Sequence, residues 1–158
     1  DKHLQTVLNN ITACGFVVIN VIVWEKPHFA LSQGDYHSQH ENCIYAVRKG
    51  KNHLWGGDRT QATIWKIAGM NPMGHSTDIA DERTGHGTQK PIECMAKPIR
   101  NHIGSIVYEP FSGSGTTLIA CEQLGRKCRA VELSAAYCAV AIQRWVDMTG
   151  QTPELLTD

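Results

Sequence analysis

The chain has no excess of charge of either sign. Its 15 Lys and Arg balance 15 Asp and Glu, for a formal net charge of zero. That excludes a polycationic nucleic-acid coat protein, although not DNA binding through a local basic patch. It also lacks any Cys-x-x-Cys pair. The six cysteines, Cys14, Cys43, Cys94, Cys121, Cys128 and Cys138, are scattered. Several fall on apolar faces, so they read as reduced core residues of a cytosolic protein. His37-x-x-His40 has the spacing of half a metal site, but no matching Cys or His pair follows at zinc-site spacing, and no metal is expected. No apolar run reaches membrane-spanning length and no signal-peptide pattern is evident, so no membrane partner is expected. Internal repeats and low-complexity tracts are absent. What is present, 158 residues, suggests one domain with a real hydrophobic core.

Hydrophobic spacing organises the chain. Leu4, Val7, Leu8 and Ile11 recur at helical spacing, and Gly15 supplies a C-terminal stop. Phe16 to Trp24 is a nearly continuous apolar run and reads as a buried strand that Pro27 ends. Residues 28–40 read as loop, Cys43 to Val47 as a second short strand, and Arg48-Lys49-Gly50 as a turn. Residues 51–86 lack clean periodicity and read as an irregular insertion, with one short strand candidate at Thr63 to Ile67. Pro91 opens a helix reaching about Asn101. Ile106 to Glu109 is a strand, Leu118, Ile119, Cys121 and Leu124 mark a helix that Gly125 stops, and Cys128 to Val131 is another strand. Ser134 caps a last helix with Tyr137, Ala141, Trp145 and Met148 on one face and Gly150 after it. Strands alternating with helices predict an open α/β sheet.

The densest signal is Val107-Tyr108-Glu109-Pro110-Phe111-Ser112-Gly113-Ser114-Gly115-Thr116-Thr117. It reads as a strand ending in a carboxylate that turns through two glycines into a helix, a cradle for a small molecule. Seventeen residues after Gly115 a second acid, Glu132, ends the next strand. The pair describes a nucleotide-like ligand at the edge of a parallel sheet. A phosphate-binding loop is excluded, because no Lys follows the last glycine; Thr116-Thr117 do. The dinucleotide fingerprint fails too, since its third glycine falls at Leu118. Glu109 repels an anion and attracts an ammonium group, and Glu132 is placed to accept hydrogen bonds from ribose hydroxyls. Ammonium at one end and ribose further along describe S-adenosylmethionine better than NAD or ATP. On spacing alone, the alternative is a tight strand-helix turn flanked by two solvated acids.

Glu109 to Thr117 resembles the cofactor motif of the DNA amino-methyltransferases, usually Asp-Pro-Phe-x-Gly-Ser-Gly-Thr-Thr. His86-Gly87-Thr88-Gln89-Lys90-Pro91 resembles their Thr-x-Lys-Pro segment, which in one permuted subclass, the beta class, lies just before the glycine motif. Trp24-Glu25-Lys26, His40-Glu41 with Tyr45-Ala46, and Arg126 with Glu132 and Tyr137 are similar to the same subclass. The resemblance implies a Rossmann-like α/β sheet of the adenosylmethionine-dependent methyltransferases, incomplete here and carrying an irregular insertion. It implies that Phe111, Gly113, Ser114, Gly115 and Thr116 line the cofactor pocket with Glu109 and Glu132. Thr88, Gln89 and Lys90 then meet the methionine end, where Lys90 can pair with the carboxylate. A cation at a helix N-terminus is unfavourable by about 0.3–1 kcal/mol, so Lys90 asks for an anionic partner. Glu109 stands where the family usually has Asp, one methylene shorter.

The sequence contains no Pro-Pro, so the family's Asp-Pro-Pro-Tyr motif, which supplies the acceptor for the target amine and the platform for the flipped base, is not in it. Asn71-Pro72-Met73 is the nearest look-alike and lacks both the second proline and the aromatic. No catalytic residue is therefore assigned. The expected organisation is residues 1–50 as the second half of a catalytic sheet region, 51–85 as a target-recognition insertion, and 86–158 as the cofactor-binding region. The chain then looks like the C-terminal part of a methyltransferase, with a gap in its parallel core and exposed strand edges, completed by an N-terminal part or by a partner chain such as a homo-dimer partner. Arg48, Lys49, Lys51, Trp55 and Arg59, with Lys66, are the candidates for phosphate and base contacts on double-stranded DNA. The resemblance further implies a cytoplasmic restriction-modification enzyme, prokaryotic or phage-encoded, acting on an adenine or cytosine amino group. A decayed or split cofactor-binding or DNA-binding module, or an unrelated enzyme on a doubly wound sheet, are the competing readings.

Overall fold

A computed structural model describes residues 3–31, 33–68 and 89–156. It divides into two compact units, Asp1–Ile67 and Ala68–Asp158. In the first, helix α1 (Leu4–Ala13) ends at Cys14 and Gly15, the latter at φ 82°, where a residue without Cβ fits. Strand β1 (Phe16–Ala30) pairs antiparallel with β2 (Ser38–Arg48), from Phe16 opposite Arg48 to Ala30 opposite Ser38. Strand β3 (Ile64–Lys66) runs parallel along the other edge of β1, Val23 opposite Ile64 and Trp24 opposite Trp65. The two tryptophans are the buried centre of this unit, and Trp24 Nε1 donates to the Ile67 carbonyl at 2.9 Å.

Three expectations are corrected here. Pro27 does not end β1, which continues to Ala30. The ladder is irregular between Glu25 and Ala30, so Pro27 sits where no paired N–H is needed. Residues 28–40 are not all loop: 28–30 continue β1 and 38–40 begin β2, with the loop confined between Ala30 and Ser38, and Lys26 Nζ bridges to Glu41 Oε1 at 2.6 Å across the ladder. Nor is β1 buried along its apolar run. Val17, Ile19 and Val21 are exposed, and of this strand Trp24 alone is buried among the described residues. A continuous apolar run predicts two covered faces, whereas this strand belongs to a hairpin with one face open.

Among the described residues, the second unit carries α2 (Ile92–Arg100), β4 (Ile106–Glu109), α3 (Thr116–Gln123), β5 (Lys127–Ala130) and α4 (Ala135–Thr149). β4 and β5 pair in parallel, with Ile106 opposite Lys127 and Glu109 opposite Ala130. Ile92 and Ala96 of α2 pack on Ile119 and Ala120 of α3, and Met95, Ile99, Leu124, Trp145 and Met148 close around them. Arg126 staples the turn before β4 to β5, donating to the carbonyls of Gly104 at 2.9 Å and His102 at 3.2 Å. The described strands thus form two sheets, of three and two strands. Ile106 and Tyr108 on β4 are exposed.

Two details differ from expectation. Pro91 is the N-cap of α2 rather than its first helical residue, with φ −57° and ψ 145°. Ser134 occupies the N-cap of α4, but its side chain makes no capping bond; its amide is held instead by Glu132, as described below.

Candidate cofactor site

β4 delivers Glu109 to the turn, and the turn is bonded to the end of β5. Val131 N donates to the Glu109 carbonyl at 2.9 Å and Ser112 N to the Val131 carbonyl at 3.0 Å. Gly113 at φ 54° and Gly115 at φ 82° take left-handed conformations, and Gly115 N closes the turn on the Ser112 carbonyl at 3.0 Å. Gly115 is also the N-cap of α3. A Cβ there would lie 2.6 Å from Ala141 Cβ and 3.1 Å from Ala141 Cα, so glycine is required both by conformation and by the close approach of α4.

The two acids bracket this turn. Glu109 Oε1 accepts from the Phe111 amide at 3.0 Å and Oε2 from the Thr117 hydroxyl at 2.8 Å. Glu132 Oε2 accepts from the Gly113 amide at 2.7 Å and Oε1 from the Ser134 amide at 2.9 Å. Each carboxylate is thereby fixed in direction by two donors. Solvated, freely rotating acids, the bland alternative, do not describe this arrangement.

In front of the turn lies a cavity of about 410 Å³, within the size range of small-molecule sites. Eight of the ten residues expected to bind a cofactor line it: Gln89 and Lys90 on one side, Glu109, Phe111, Gly113, Ser114 and Thr116 along the turn, and Glu132. Gly115 stands behind it against Ala141. Thr88 lies outside the described residues. The donor set fits a zwitterionic nucleoside: a cation and amide at Lys90 and Gln89, two oriented carboxylates, and Phe111, 87% exposed, offering a ring. Met95, Ser112, Thr117 and Tyr137 also line the cavity and were not singled out as site residues. Ser112 and Thr117 fall inside the motif itself, and Tyr137 stands one turn before Ala141 on the periodic face of α4. Arg144, buried behind the turn, was missed altogether.

Cys121 of α3 is buried, and Cys128 lies on β5. Burial, and next the Cys128 sulfur, push the Cys121 thiol up to about 12. The neutral thiol is therefore favoured on folding, and its contribution to stability is full below the ordinary value of 9.0 and is lost as pH rises toward 12. Cys121 should resist alkylation at pH 8 under conditions that label the exposed Cys14, and its labelling should accelerate as pH rises toward 12; mass spectrometry of alkylated peptides checks both.

The residues expected to meet DNA, Arg48, Lys49, Lys51, Trp55 and Arg59, are all exposed and belong to the first unit. Trp55 Nε1 donates to the Asp58 carbonyl at 3.2 Å. The Asp58 carboxylate organises the next turn by accepting from the Thr60 amide at 2.9 Å and hydroxyl at 2.7 Å. Those bonds hold its carboxyl below the ordinary range. Residues 69–85 of the expected insertion, including Asn71-Pro72-Met73, lie outside the described residues.

A strand-turn-helix with a fixed acid at the end of each of two parallel strands defines a Rossmann-like nucleoside site. The profile of the DNA methylase family, the N6/N4 amino-methyltransferases, matches residues 1–143, and the chain belongs to that family. The chain is 28% identical to the type II methyltransferase M2.MboI of Moraxella bovis, over 85% of this chain and 52% of that protein. It is 25% identical to M2.DpnII of Streptococcus pneumoniae, over 82% and 52%. It therefore spans about half the length of the curated relatives it matches. Among solved structures it resembles the M1.HpyAVI complex with S-adenosylmethionine, with TM-score 0.74 and 28% identity, covering 91% of this chain and 70% of the other. The cytosine-N4-specific PvuII DNA methyltransferase shares the fold, at TM-score 0.70 and 18% identity. The mixed α/β architecture is thus the adenosylmethionine-dependent methyltransferase fold, with two small sheets among the described residues.

Proposed function

We propose that this chain is the part of a DNA amino-methyltransferase that holds and orients S-adenosylmethionine. The observation that carries the proposal is the cavity, where Lys90, Glu109 and Glu132 converge on one glycine turn. Bound there, the sulfonium supplies a methyl group that an adenine or cytosine amino nitrogen takes, the sulfur leaving as a neutral thioether and the amine losing a proton. Lys90 pairs with the methionine carboxylate, Glu109 receives the ammonium, and Glu132 accepts from the ribose hydroxyls. Thr88 and Gln89 complete the methionine end, and Phe111, Ser114, Gly115 and Thr116 shape the wall. The contribution of these residues is proximity and orientation.

The partner is double-stranded DNA, met through Arg48, Lys49, Lys51, Trp55 and Arg59, with residues 51–85 reading the target. The Asp-Pro-Pro-Tyr function comes from polypeptide outside this sequence, in the same protein or in a partner chain. None of the six cysteines is in a disulfide, which suits a reducing cytoplasm. Calorimetric titration with S-adenosylmethionine is expected to give saturable heat at one site per chain. No heat, with the chain folded, overturns the cofactor assignment and with it both the enzyme and the cofactor-module readings.

A further inference from the structure

Helix α4 carries a cation in its apolar stripe. Tyr137, Ala141, Arg144 and Met148 recur at helical spacing, and Arg144 is buried. Its Nη1 donates to the Ser114 carbonyl at 2.7 Å and to the Thr116 hydroxyl at 3.4 Å. That hydroxyl in turn donates to the Lys90 carbonyl at 3.3 Å. One guanidinium nitrogen therefore ties together the glycine turn, the start of α3 and the segment that carries Lys90. One helical turn earlier, Ala141 presses on Gly115. Ser114, Thr116 and Lys90 line the cavity, whereas Arg144 lies behind it.

Ser114 and Gly115 share one peptide unit. A charge-assisted bond to the Ser114 carbonyl holds that peptide plane, and with it the left-handed Gly115, against rotation. Loss of the bond frees the plane and leaves a buried carbonyl without this donor. The same loss releases the Thr116 link to Lys90. Both effects fall on the Lys90 and glycine-turn side of the cavity.

We propose that Arg144 is a positioning residue for the methionine end of the cofactor, acting from behind through Ser114 and Thr116. The proposal rests on the adenosylmethionine reading above, and its test separates the two. Affinities of the wild-type chain, Arg144→Ala and Arg144→Lys are measured by calorimetry for S-adenosylmethionine, S-adenosylhomocysteine and 5′-methylthioadenosine, which lacks the amino-acid end. Arg144→Ala is expected to weaken the first two by about tenfold or more, the effect of one lost charge-assisted bond, and to leave 5′-methylthioadenosine within about twofold. Added guanidinium ion is expected to restore part of the loss in Arg144→Ala.

If Arg144→Ala fails to fold, Arg144→Lys carries the test, because it keeps the charge but not both donors in the same plane. It is expected to weaken the two amino-acid-bearing ligands alone. An equal loss for all three ligands, or no loss for any, overturns the proposal, since a merely structural arginine does not distinguish the ends of the ligand. Wild-type protein that binds none of the three overturns the cofactor reading instead.

Discussion

Gly115→Val is expected to abolish S-adenosylmethionine binding. Even the first atom of the new side chain has no room: a Cβ at this position meets Ala141 Cβ at 2.6 Å and its backbone Cα at 3.1 Å. The left-handed φ of 82° adds about 1–2 kcal/mol for any residue with a Cβ, and more for a β-branched one. Overpacking against α4 adds about 1–3 kcal/mol. The turn escapes both costs by moving away from α4 into the cavity, or α4 withdraws and takes Arg144 from Ser114. Either movement destroys the cradle, so affinity should fall by more than about 100-fold, the equivalent of roughly 2.7 kcal/mol. Circular dichroism of the variant keeps loss of binding distinct from loss of fold. Unchanged affinity in a folded variant would mean that the cofactor lies elsewhere.

The second large effect concerns chemistry. The chain as given is expected to bind the methyl donor yet transfer no methyl group to DNA above background. Transfer to an amino group needs an acceptor for its hydrogens and a surface for a base drawn out of the duplex. The sequence has no Pro-Pro with which to supply the family's motif, and the proposed role of the cavity residues is on the donor side. Orientation of both reactants is a large share of such a rate, and half a site provides it for one of them. Incorporation of labelled methyl groups into duplex DNA measures this directly. Clear incorporation by this chain alone would show that the acceptor side is present in it in another form.

Much of this was legible in the sequence because local chemistry dictates it. The strand Ile106–Glu109, the positive-φ glycines and the helix starting at Thr116 follow from residue types a few positions apart. Grouping Lys90 with Glu132 in one cavity required the family resemblance, since the two lie 42 residues apart and no periodicity links them. The hairpin Phe16–Arg48 was misjudged at its tip for two reasons. Pro27 stops a regular ladder, but here the ladder is already irregular. The polar residues between Gln33 and His40 resemble a loop, but part of them pairs across β1. Glu132 illustrates a third difficulty. Its carboxylate accepts from the Ser134 amide while the Ser134 side chain makes no capping bond, and that acid–amide bond is not evident from the usual N-cap signature. Arg144 was invisible because an arginine in an amphipathic helix normally marks its solvent face, and only the register with Ala141 and Met148 shows otherwise.

The central claim is that Lys90, the glycine turn and Glu132 enclose S-adenosylmethionine, and a crystal structure of the chain with that ligand tests it most directly. The account predicts the methionine carboxylate at Lys90, the ammonium at Glu109 and the ribose hydroxyls at Glu132, with Arg144 still bonded to the Ser114 carbonyl behind them. Ligand density outside this cavity, or inside it with the ribose turned away from Glu132, would contradict it.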